Sequence, residues 1–113
     1  MALTGTAERL TIYLDEADRH RGAPAYVELV GRARKAGLAG ATVLRGVGGF
    51  GASSRVRRQF SVTDDVPVVV IIVDEPSRIE SFVSSVEDMG LRGLAVRRPV
   101  EVVSHPSRSE PRR

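Results

Sequence analysis

A chain of 113 residues suits a single domain, because two hydrophobic cores do not fit in that length. The absence of cysteine excludes disulfides, thiolate nucleophiles and cysteine-containing zinc sites, and three Phe, two Tyr and no Trp leave few rings on which bases could stack. The net charge of +3 lies mostly at the end: Ser104 to Arg113 holds three Arg against one Glu, which is +2 and leaves +1 for the rest, so a general nucleic-acid surface is not expected.

Residues 1–7 read as a flexible N-terminus. They lack the basic region, apolar run and small-residue cleavage site of a targeting segment. The longest apolar run, Val66 to Val73, is far short of the roughly 18 residues that a membrane span requires, so a cytoplasmic protein is expected. Leu10 to Leu14 alternates with period two and predicts a strand, which ends in the polar loop Asp15 to Gly22. Pro24 suits a first helical turn. Tyr26, Leu29, Val30 and Ala33 then follow at i, i+3, i+4 and i+7, with Glu28 and Arg32 paired on the wet side and Gly37 as the stop.

Ala41 to Leu44 predicts a second strand, which leads into a glycine-rich stretch and a long connection ending near Asp65. The run Val66 to Val73 is β-branched throughout and predicts a strand buried on both faces, at the centre of a sheet. A second helix begins near Pro76, carries the stripe Ile79, Phe82, Val83 and Val86, and closes at Gly90. The last strand covers Leu94 to Val103, where Pro99 requires a sheet edge or a bulge. Residues 104–113, with two Pro, three Ser and no aliphatic side chain, read as a disordered basic tail.

The order β-α-β-β-α-β predicts an α+β fold of ferredoxin-like type over residues 8–103, a four-stranded antiparallel sheet with two helices on one face. The other face is then bare. A strand such as VPVVVIIV would show water its second apolar row, forfeiting roughly 1.5–3 kcal/mol for each large aliphatic side chain. Other copies of the chain are expected to cover it in a closed cyclic oligomer, the alternative being that the C-terminal strand or tail folds back over it.

The segment from Arg45 to Arg58 carries the chemistry. Gly46, Gly48, Gly49 and Gly51 allow backbone amides to approach an anion, Ser53 and Ser54 add hydroxyl donors, and Arg45, Arg55, Arg57 and Arg58 add guanidinium forks, with no acid in between. The alternative is a solvated turn-rich loop. Gly46, Gly48 and Gly51 also spell G-x-G-x-x-G, but no helical stripe follows and the next strand comes too soon for a parallel crossover, which excludes a dinucleotide fold. His20 and His105 lie in polar loops, and Asp15, Glu16 and Asp18 lack the spacing of a calcium loop, so neither metal nor catalytic chemistry is expected.

The strings LTIYLDEADRHRGAPAYVELV, AGATVLRGVGGFGASSRV and DVPVVVIIVDEPSRIESF together resemble an uncharacterised PII-like family, a domain of unknown function within the PII signal-protein superfamily, from Glu8 to Val103. The resemblance implies a homotrimer whose sheets face a central core, with ligand clefts between subunits. It places an adenine nucleotide or cyclic nucleotide, as a ligand rather than a required cofactor, among Gly46 to Arg58, the turn Gly90, Leu91, Arg92 and Gly93, and the basic pair Arg97 and Arg98. It further implies a regulated partner, with a membrane channel or transporter as one class. The chain departs from the PII pattern in having no Tyr between Val47 and Asp65, and Arg57 and Arg58 stand where the family often carries a His. Three readings follow: a nucleotide-binding regulator that is not an enzyme, a trimer that docks an acidic partner without a metabolite, and a nucleic-acid binder whose affinity would fall steeply with salt.

Overall fold

The computed structural model describes residue 3, residues 5–47 and residues 66–106. In chain order the elements are β1 (Gly5–Asp15), β2 (Arg19–His20), β3 (Ala23–Pro24), α1 (Ala25–Lys35), β4 (Thr42–Arg45), β5 (Pro67–Asp74), α2 (Pro76–Asp88) and β6 (Leu94–Val102). The four long strands form one antiparallel sheet in the order β4-β5-β1-β6, and β2 and β3 make a small separate hairpin. This is the expected ferredoxin-like arrangement.

Side-chain alternation decides which row of each strand meets the helices. Leu10, Ile12 and Leu14 of β1 and Val68, Val70 and Ile72 of β5 form one core with Leu29 and Ala33 of α1 and Ile79 and Phe82 of α2. Both helices therefore cover the same face. The first ends in a Schellman motif: Leu38 N donates to Ala33 O at 3.1 Å and Gly37 N to Arg34 O at 3.1 Å, with Gly37 at φ +75°. Gly90, at φ +63°, takes the same left-handed role after α2.

Three expectations need correction. The strand β1 starts at Gly5, so part of the segment read as flexible is paired: Gly5, Thr6 and Ala7 face Val102, Glu101 and Val100. Ala7, 1% exposed, is too small to announce itself in a hydrophobic pattern. The loop after β1 contains the hairpin β2–β3, turned by Arg21 and Gly22 at φ 53° and 83°; two-residue strands leave no periodicity to read. The strand β5 is buried on one face only within the protomer: Val68, Val70 and Ile72 are at 0% exposure, whereas Val69, Ile71 and Val73 are half-buried.

The second row belongs to an open apolar face. Across it Tyr13 stands opposite Val69 and Leu94, Thr11 opposite Ile71 and Val96, and Leu44 opposite Val69. Leu94, Leu44, Tyr13 and Val96 are exposed there. Pro99 lies on β6 at the sheet edge, opposite Glu8, where a missing ladder donor is tolerated. Of the segment read as a tail, Ser104 to Pro106 is irregular, with His105 Nδ1 accepting from Leu3 N at 2.8 Å, and residues 107–113 lie outside the described residues.

Replacing Ile72 with Ala removes a side chain with no exposed area from the centre of this core, and urea denaturation should show a loss of about 2–5 kcal/mol.

Candidate functional site

The base of the glycine and arginine segment lies at one end of the sheet. There β4 ends against the start of β5: Arg45 stands opposite Val68, and Gly46 N donates to Pro67 O at 2.8 Å. A Cβ on Gly46 would lie 3.2 Å from Pro67 Cβ, so the close approach of these strands favours glycine. The end of β1 joins the same corner through Glu16 N, which donates to Val66 O at 2.8 Å.

Arg45 is tied at this corner. Its Nη1 pairs with Glu16 Oε2 at 2.6 Å, and its Nη2 donates to the Tyr26 hydroxyl at 3.3 Å. The guanidinium remains about half exposed, and surface pairs of this kind are worth roughly 0–1 kcal/mol, so a stronger anion can compete with the carboxylate. Sequence reasoning missed Glu16 and Tyr26. They come from a loop and a helix distant from Arg45 in the chain, and only the β4-β5-β1 order brings them together.

The turn Gly90 to Gly93 lies at the same end of the sheet, because Tyr13 near the end of β1 pairs with Leu94 at the start of β6. Gly93 is required by sterics: a Cβ there would be 2.1 Å from Tyr13 O and 2.8 Å from Leu14 Cδ2. Arg92 is exposed beside it. The two segments, however, stand on opposite edges, β4 and β6, with β5 and β1 in between. Three inter-strand steps span about 14 Å, so one protomer does not bring both around the same phosphate group.

Arg97 and Arg98 part company. Opposite Leu10, Arg97 points to the helix face, where it donates to Glu8 Oε1 at 2.6 Å and also pairs with Glu80. These hydrogen bonds, the one it donates to Glu80 first and those to Glu8 second, raise its pKa above the ordinary arginine value. Arg98 stands opposite Arg9 on the open face. Gly48, Gly49, Gly51, Ser53, Ser54, Arg55, Arg57 and Arg58 lie outside the described residues.

Two of the acids near this end, Asp15 and Asp18, are used locally. Asp15 Oδ1 accepts from Ala17 N at 2.9 Å and Asp18 Oδ2 from Asp15 N at 3.0 Å, which makes a turn of the acids examined for calcium. Glu28 has its pKa lowered, chiefly by the hydrogen bond from Arg32 and further by the positive potential of Arg32, His20 and Arg21. The described residues contain no cluster of His, Asp and Glu able to hold a metal ion, and no described helix is long and apolar enough to cross a membrane.

The model of the family DUF190, described as Uncharacterized ACR, matches residues 7–102. A UPF0166 protein of Aquifex aeolicus (strain VF5) is 35% identical over 96 residues, covering 83% of this chain and 90% of that protein. Among solved structures, CPII from Thiomonas intermedia K12 superposes with a TM-score of 0.65 at 16% identity, over 88% of this chain and 91% of its own. That likeness establishes the PII-like fold.

Because the shortest Gly93 contact is with the backbone oxygen of Tyr13, no side-chain rotation can relieve it. Gly93→Ala should lower stability by about 1–3 kcal/mol in chemical denaturation, an overpacking cost, and shift the backbone resonances of Tyr13 and Leu14.

Proposed function

The chain belongs to the DUF190 family, and from that premise we propose that it is a PII-like regulatory protein that binds an adenine nucleotide or related phosphorylated small molecule between the subunits of a homotrimer. The observation that carries this reading is the placement of Arg45 and Gly46 and of the Gly90–Gly93 turn at one end of the sheet but on opposite edges. Around a threefold axis, the β4 edge of one subunit and the β6 edge of the next become neighbours. The base of the arginine segment then meets the Gly90–Gly93 turn across an interface.

The open face supports the same assembly. Tyr13, Leu44, Leu94 and Val96 form an apolar surface that a closed oligomer would bury. CPII, which shares the fold, was solved bound to ADP, AMP and acetate. For this chain, the anionic part of such a ligand has Arg45 and the Arg55, Arg57 and Arg58 cluster as counter-charges, and the glycines as donors that a Cβ does not obstruct. Binding would draw Arg45 from Glu16, and that exchange links ligand occupancy to the loop after β1. The arginine segment, ordered around the ligand, is the surface read by a partner protein, for which a membrane channel or transporter is one class. The role is binding and signalling, without catalysis.

Thermal melting of the protein against ADP, AMP, ATP and cyclic nucleotides, with mass measured on the same sample, tests the reading. A trimer whose melting temperature rises with one nucleotide is expected, since ligand at about 100 times its Kd adds roughly 2.7 kcal/mol. A trimer indifferent to all of them would point to partner docking without a metabolite, and a monomer would remove the inter-subunit site. Charge reversal of Arg57 or Arg58 should abolish binding while leaving the melting temperature of the free protein unchanged.

The Glu16 competition has its own signature. Glu16→Gln should tighten nucleotide binding by about 2–5-fold in calorimetry, the worth of a surface ion pair, whereas a purely structural Glu16 would leave affinity unchanged.

A further inference from the structure

We propose that Arg9 and Arg98 form a second anion site, on the open face of the sheet, that takes a free inorganic oxyanion of the phosphate or sulfate type. Backbone register sets these residues directly opposite each other on β1 and β6, with Val73 of β5 on the other side of Arg9. Like charges in that position repel. Arg9 is half-buried, and its Nε is buried without a hydrogen-bond partner. A buried guanidinium nitrogen is costly to leave unmatched, and none of the described residues matches it.

Among the described residues the face supplies no carboxylate for the task. Alternation puts Ala7, Arg9, Thr11 and Tyr13 on it from β1 and Val96, Arg98 and Val100 from β6, while Glu8, Asp74 and Glu101 belong to the helix side. The single acid of the open row, Asp15, is buried at the far end of β1 within its own turn. The inference rests here on the trimer reading: when copies pack through this face, each adds two more guanidinium groups and no free carboxylate. Neutralisation then falls to a small mobile anion. Guanidinium forks select an oxyanion over chloride by bidentate geometry, and the apolar surroundings strengthen the attraction.

The test is thermal melting and native mass spectrometry in sodium phosphate and in sodium chloride of equal ionic strength. The wild type should show a saturable rise in melting temperature with phosphate beyond that in chloride. Arg58→Glu, which removes a counter-charge of the proposed nucleotide site, should keep the part of that rise that Arg9 and Arg98 contribute. Arg9→Met and Arg98→Met should bind phosphate at least about tenfold more weakly, and Arg9→Met should melt no lower than the wild type without phosphate. Arg98 is exposed in the protomer, so Arg98→Met carries the test if Arg9→Met does not fold. A trimer with no phosphate response, or arginine variants that respond as the wild type does, would overturn the site. A wild-type monomer would overturn the trimer reading instead, and a phosphate response through Arg9 and Arg98 in that monomer would still support the site.

Discussion

The described residues form two helices, and both pack on one side of a sheet whose central strand β5 is apolar on the other side as well. Everything else in the structure depends on that imbalance. Val68, Val70 and Ile72 of β5 are sealed under α1 and α2, but Val69, Ile71 and Val73 alternate with them and have no helix of their own. Burial of apolar surface is the dominant favourable contribution to folding, so a row that stays wet within the protomer is a demand for further contact. The exposed Leu44, Leu94 and Tyr13 on the neighbouring strands widen the same surface. The proposed trimer answers that demand without any added secondary structure.

The same sheet order sets the geometry of the site. In β4-β5-β1-β6 the strands that carry Arg45 and Leu94 are as far apart as the sheet allows, yet both reach the same end. Within one copy of the chain three inter-strand steps separate Arg45 from the Gly90–Gly93 turn, and the proposed site between subunits is the arrangement that would close that gap. Steric demands at the two corners are consistent with this. Gly46 lies against Pro67 and Gly93 against Tyr13 O, which keeps the backbone close to the sheet where side chains would otherwise project.

Much of the fold was legible in the sequence because its signals are periodic and local. Leu29 and Ala33 on α1, Ile79 and Phe82 on α2, and the β-branched run of β5 declare their elements by spacing alone, and Gly37 and Gly90 mark the helix ends. What the sequence did not disclose was set by pairing between distant segments. The first turns of β1 are held by β6, from the other end of the chain. The Arg45 partners Glu16 and Tyr26 meet it through topology, and the one-residue step from Arg97 to Arg98 reverses the face on which each projects. Adjacent arginines that read as one basic patch are consequently in different electrostatic surroundings.

That step shows why counting cations says little about this protein. Arg32, Arg45, Arg78 and Arg97 are each held by a carboxylate of the chain, with Arg78 also donating to the carbonyls that close α1. Arg19, Arg21 and Arg34 are exposed and hydrated at little cost. Arg9 fits neither group, because part of its guanidinium is removed from water without receiving a partner, and its neighbour across the strands is another arginine. Burial decides which of these charges is available for a ligand. By that criterion the open face, which the proposed trimer would bury, is also an unneutralised electrostatic centre, and any mode of packing that covers its valines has to account for its arginines.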